Sequence, residues 1–128
     1  MKAIVTVDDE VLITQVLQFQ LSKNFDENEI IIESINRPEL TIDLVKELDS
    51  LGISTCLMIV DYQMPKMNGA QLIRQLKSVY PNIHFIMLSG QANSIIVAEM
   101  QEEGLVDAFI YKPWDENELI ELVKDKIS

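Results

Sequence analysis

The stretch CLMIVDYQMPKMNG, residues 56–69, decides the fold. Its first five residues are apolar without alternation, and the sixth is Asp61. A strand covered on both faces reads as a continuous apolar run, whereas a strand with one wet face alternates with period two. The run therefore belongs to a parallel sheet clad by helices on both sides, with a carboxylate at the strand's carboxyl end. Four further runs of strand length flank it: AIVTV at 3–7, EIIIESI at 29–35, HFIML at 84–88 and DAFIY at 107–111. Only the second alternates towards its end, which predicts an edge position.

Helical spacing fills the gaps between the runs. Residues 9–23 place Leu12, Val16 and Phe19 on one stripe. Residues 38–51 carry Leu40, Leu44, Val45, Leu48 and Leu51, with Pro38 in a first turn that tolerates its missing N–H and Gly52 as the stop. The third helix is expected over 69–79, with Leu72, Ile73 and Leu76 inward and Pro81 closing it. The fourth holds Ile95, Ile96 and Met100 and ends near Gly104. The fifth opens with Asp115 and Glu118 at capping-box spacing, then shows Leu119, Leu122, Val123 and Ile127. Strand and helix thus alternate five times, and right-handed crossovers make of that order an α/β domain, a doubly wound parallel sheet of five strands with five helices. No linker, repeat or low-complexity stretch interrupts it, so residues 1–128 are expected to form a single domain, stand-alone or excised from a longer chain.

Composition bounds what such a domain does. A chain of 128 residues, 48% of them hydrophobic, buries enough surface for one core without staples. One cysteine, Cys56, and one histidine, His84, make neither an intrachain disulfide nor a closed zinc site, and the cysteine usage fits a reducing cytoplasm. The net charge of −11 repels phosphate backbones, which argues against direct nucleic-acid binding. No apolar run approaches the ~20 residues of a membrane span, and no export signal opens the chain.

The residues that follow the strands narrow the function. Asp8, Asp9 and Glu10 follow the first run, Asp61 the third, Ser89 the fourth and Lys112 the fifth. In open α/β sheets ligands sit outside the carboxyl ends of the strands, near the point where strand order reverses. The order 2-1-3-4-5 makes strands 1, 3, 4 and 5 neighbours and gathers these groups in one crevice. Clustered carboxylates repel one another and hold protons unless a cation neutralises them, and hard oxygen ligands select Mg²⁺, Mn²⁺ or Ca²⁺, with Mg²⁺ the expected occupant. A strand-end carboxylate can act as a nucleophile and form an aspartyl phosphate. A cation and a lysine would then balance charge on the transferring phosphoryl group, and a serine hydroxyl would donate to one of its oxygens.

At these motifs the whole chain resembles a known family, the receiver domains of bacterial two-component response regulators, whose fold is flavodoxin-like. The likeness is carried by VDDE at 7–10, DYQMPKMNG at 61–69, LSG at 88–90 and YKPW at 111–114, each at a strand end and in the family's order. It implies that Asp61 accepts a phosphoryl group from a phosphohistidine on a sensor histidine kinase or a phosphotransfer protein. It implies Mg²⁺ ligation by Asp61 and Asp9, by Asp8 mainly through water, and by the backbone carbonyl of Gln63. Lys112 would pair with the phosphoryl group, Ser89 would hydrogen-bond to it, and Phe109, three residues before Lys112, matches the switch aromatic that swings into the space Ser89 vacates. The surface over the fourth helix, fifth strand and fifth helix would carry the change to an output domain or downstream protein, or into a homodimer. Such a domain catalyses only its own phosphorylation and dephosphorylation. Ser89 stands where Thr is commoner and Phe109 where Tyr is frequent. Gln63 and Gln91 are expected to influence water access to the phosphate and so its lifetime. The 20 residues between Ile35 and Cys56, with the KPWDENEL segment, look like receivers attached to cyclic-nucleotide or cyclic-dinucleotide enzymes.

Other functions fit the pattern less well. A phosphatase of the haloacid dehalogenase type also uses an aspartyl nucleophile, but places it after the first strand in Asp-x-Asp and its acidic pair late, the reverse of the order here. A flavodoxin-type electron carrier needs a hydroxyl-rich phosphate loop after the first strand, where this chain has acids that repel FMN phosphate. An interaction module that is never phosphorylated has no use for Asp8, Asp9, Asp61, Ser89 and Lys112 together. Taken singly these residues read blandly: the acids as dipole partners of a helix N-terminus, Ser89 as a structural hydroxyl, Lys112 as a solvated charge. His84 reads as strand packing, Cys56 as a small buried hydrophobe, Met58, Met87 and Met100 as core, Met64 and Met67 as turn residues, and Trp114 as a staple for the fifth helix.

Overall fold

Each apolar run forms the strand it predicts in a computed structural model that describes residues 1–90 and 94–127. The strands are β1 (Lys2–Val7), β2 (Ile30–Ile35), β3 (Ser54–Asp61), β4 (His84–Ser89) and β5 (Ala108–Tyr111). All pair in parallel in the order β2-β1-β3-β4-β5, so β2 lies at an edge, as its alternation predicts. The helices are α1 (Val11–Ser22), α2 (Thr41–Ser50), α3 (Gly69–Val79), α4 (Ser94–Glu103) and α5 (Glu116–Ile127). Pro38–Leu40 forms a separate 3-10 turn ahead of α2, so the second helix starts later than its proline suggests.

Adjacent strand residues face opposite sides of the sheet and feed two cores. On one side Val5, Met58, Val60, Phe85 and Met87 pack against α2, α3 and α4. On the other, Ile4, Leu57, Ile59, Ile86 and Leu88 pack against α1 and α5. Burial on both faces explains why the strands read as continuous apolar runs. Gly52, at φ +77°, takes the left-handed conformation that ends α2.

The inward face of α1 differs from the expected stripe. Thr14, Leu17 and Leu21 are buried, while Leu12 and Phe19 are 69% and 66% exposed and Val16 is exposed too. Apolar residues surround this helix, so periodicity alone names no face; the sheet selects 14, 17 and 21 because the acidic loop fixes where the helix begins. Leu40, Leu51 and Ile95 are likewise exposed rather than inward, whereas Val45, Leu48, Val97 and Met100 are buried. Met64, expected only in a turn, packs into the α2-α3-α4 core. Cys56 is half-buried rather than buried, its thiol 3.4 Å from the Ala3 carbonyl oxygen, and burial pushes its pKa up. His84 opens β4 with its ring partly exposed, Nδ1 3.4 Å from Asp107 Oδ1. Trp114 fastens onto α1, donating its indole N–H to Gln20 Oε1 at 2.8 Å.

Candidate functional site

Four neighbouring strands deliver their carboxyl-end residues to one crevice. Asp8 and Asp9 leave β1, Asp61 is the last residue of β3, Ser89 the last of β4, and Lys112 directly follows β5. Carboxylate oxygens of Asp8, Asp9 and Asp61 lie within 4.8 Å of one another. Lys112 Nζ sits 2.9 Å from Asp61 Oδ1 and 3.4 Å from Asp8 Oδ2. The Lys112–Pro113 peptide is cis. Ser89 is buried, and its hydroxyl donates to the Gly90 carbonyl at 3.1 Å. Phe109 pairs in register with Met87 and packs half-buried against the α2-α3-α4 core. Gln63 is exposed in the loop after Asp61, and Gln91 lies outside the described residues.

The electrostatics of the crevice follow from its composition. Three carboxylates face one ammonium, a formal excess of two negative charges that a divalent cation matches. Asp8 is fully buried, and that burial, with the charge of Asp61 adding to it, lifts its pKa to about 6 against the pull of the Glu10 backbone N–H and Lys112. Burial also raises Asp61, reinforced by Asp9 and Glu10 and opposed by Lys112. Burial alone would lower the Lys112 pKa; the hydrogen bond and charge of Asp61, then Asp8, outweigh it and raise it. Asp9 Oδ1 is shut from solvent and has no hydrogen-bond partner among the described residues. A buried carboxylate oxygen lacking a donor is a costly group, and a hard cation is the partner it lacks. The residues present therefore fit Mg²⁺.

The loop from Asp61 into α3 is held by features that the sequence reading passed over. Asn68 and Gln71 form a reciprocal capping box, with Gln71 N–H donating to Asn68 Oδ1 at 2.9 Å and Asn68 N–H to Gln71 Oε1 at 3.0 Å. The spacing Asn-x-x-Gln was legible as its signal. At the start of α5 only the Glu118 N–H donation to Asp115, at 3.0 Å, is seen of the capping box expected there. Gly69 passes so close to the Asp61 carbonyl that an added Cβ would overlap its oxygen, and Gly69 N–H donates to the Tyr62 carbonyl at 2.8 Å. A glycine here answers a close backbone approach.

A family model for the response regulator receiver domain matches residues 4–124. The chain is similar to the sensor kinase CckA of Brucella abortus (strain 2308), 27% identical over 86 residues, which are 67% of this chain and 9% of that protein. It is also similar to the response regulator protein TodT of Pseudomonas putida, 29% identical over 108 residues, covering 77% of this chain and 47% of TodT. The chain thus spans less than half the length of these curated relatives. Among solved structures, a response regulator receiver domain protein from Clostridium thermocellum superposes with a TM-score of 0.84 at 21% identity, over 99% of this chain and 94% of that one. No helix among the described residues is long and apolar enough to cross a membrane.

Proposed function

The chain belongs to the response regulator receiver domain family, and from that premise we propose that it is the phosphorylation switch of a two-component relay, with Asp61 as phosphoacceptor. The observation that carries this reading is the Asp61–Lys112 pair, 2.9 Å apart inside a group of three carboxylates. An Asp61 carboxylate oxygen attacks the phosphorus of a phosphohistidine on a sensor histidine kinase or phosphotransfer protein. The P–N bond breaks as the O–P bond forms, and the departing imidazole takes a proton from solvent. Asp8, Asp9, Asp61 and the backbone carbonyl of Gln63 would hold Mg²⁺, which when bound supplies charge neutralisation on the phosphoryl oxygens. Lys112, already between Asp61 and Asp8, pairs with the new phosphoryl group.

Phosphorylation replaces the single charge of the Asp61 carboxylate by about −2 on the acyl phosphate, a net gain of about −1, and adds three acceptor oxygens at one point. Ser89 exchanges its bond to the Gly90 carbonyl for one of these oxygens, and Phe109 moves into the space this leaves. The surface of α4, β5 and α5 then carries the change to an output domain, a downstream protein or a second copy of the chain. The −11 charge supports a protein partner over nucleic acid at this surface.

Phosphoramidate with Mg²⁺ tests the reading against a phosphatase. A receiver releases a burst of one equivalent of ammonia per chain and then a slow phase set by hydrolysis of its own acyl phosphate, and leaves p-nitrophenyl phosphate intact. Sustained turnover of the phosphomonoester, or no burst, contradicts the proposal.

A further inference from the structure

The peptide between Asp8 and Asp9 joins two carboxylates of the site, so the orientation of that one plane sets how both are presented. Its surroundings are unusually well specified. Asp8 N–H donates to the Ile35 carbonyl at 3.2 Å. The Asp8 carbonyl, part of the peptide itself, accepts a hydrogen bond from Asn36 Nδ2 at 2.8 Å. The second hydrogen of the same amide goes to Thr14 Oγ1 at 2.9 Å. Thr14 is buried and donates its own hydrogen to the Val11 carbonyl at 2.9 Å. A carbonyl only accepts, so the nitrogen of the Asn36 amide must face Asp8, and both its hydrogens are then used. One side chain at the end of the edge strand β2 thereby braces the acidic loop against the first turn of α1.

We propose that Asn36 is a positioning residue that sets the divalent-cation affinity of the Asp8–Asp9 pair. It rests on the reading of that pair as Mg²⁺ ligands. Asn36 is half-buried, and its hydrogen bonds go to the loop and to α1 rather than to the carboxylates. It acts by holding one peptide plane. Asp9 Oδ1, without a donor among the described residues, is aimed by its backbone rather than by a side-chain partner, so the orientation of that peptide decides where the oxygen points. Groups that orient ligands from behind in this way commonly govern metal affinity as strongly as a weak ligand does.

Asn36→Leu removes both donors while keeping the branched shape in a somewhat larger side chain, and Asn36→Ala removes them with a small side chain that a half-buried strand end accommodates. Isothermal titration with MgCl₂ gives the dissociation constant, and thermal melting in EDTA gives the stability of each variant; either folded variant suffices. The expected result is a cooperative melt with Mg²⁺ bound roughly tenfold more weakly, the lower end of what loss of such a ligand-orienting bond produces. The rate of phosphorylation by acetyl phosphate falls at limiting Mg²⁺ and recovers at saturating Mg²⁺. A purely structural role lowers the melting temperature and leaves the dissociation constant alone, so a constant within about twofold of wild type overturns the proposal. Wild-type protein that takes up no Mg²⁺ overturns the underlying reading instead, a result visible before any variant is made.

Discussion

Asp8 is a fully buried carboxylate with a pKa of about 6, so without a cation the fold is strained at this residue. A carboxyl that holds its proton more tightly when folded contributes stability at low pH, and that contribution is lost as pH rises through the folded value. Asp8→Asn keeps the oxygen that accepts from the Glu10 N–H at 2.9 Å and removes the charge. In EDTA the variant should therefore exceed wild type by roughly 2–3 kcal/mol above pH 7, an advantage that shrinks as pH falls through 6 towards 4. Urea unfolding at several pH values measures it; an advantage that is absent or independent of pH contradicts the account. That Asp8 would lie beside Asp61 was legible because topology places whatever follows β1 beside whatever follows β3. Asn36 was not, because an asparagine after a strand is an ordinary turn residue until the neighbouring strand is known.

At the scale of the element, α1 separates what sequence reveals from what only packing decides. That a helix lies within residues 9–23 was readable, and it runs over Val11–Ser22; which face is buried was not, because Val11, Leu12, Ile13, Val16, Leu17, Phe19 and Leu21 surround it. The strands had no such ambiguity, since a sheet covered on both faces asks only for a continuous run. In α3 the stripe Leu72, Ile73 and Leu76 is flanked by polar residues, and there the expected face and the buried face coincide. The contrast in α1 is measurable. Leu17→Ala opens a cavity in the β-sheet core and should cost about 2–5 kcal/mol, whereas Phe19→Ala should cost less than about 1 kcal/mol, although the phenyl ring is larger. Equal losses would place Phe19 in the core. The cation–π contact of Lys23 with Phe19, 4.8 Å from the ring centroid, is exposed and adds little to that figure.

The whole molecule carries −11 charge and gathers three carboxylates at the carboxyl end of its central strands, so folding itself assembles a group that could hold a cation. The unfolded chain scatters those ligands, and Mg²⁺ should bind the folded state alone. At a hundred times its dissociation constant that adds about 2.7 kcal/mol, or about 10 °C in melting temperature for a chain of this size. NaCl at matched ionic strength screens the general self-repulsion and serves as the control. Asp9→Asn should remove most of the Mg²⁺-specific rise while keeping the salt response; a rise preserved in that variant would mean that the cation binds elsewhere. The central claim, that Asp61 is the phosphoacceptor, is tested most directly by intact mass after incubation with acetyl phosphate and Mg²⁺. The account predicts a labile gain of one phosphoryl group in the wild type, absent in EDTA and absent in Asp61→Asn. The same gain in Asp61→Asn, or none in the wild type, would contradict it.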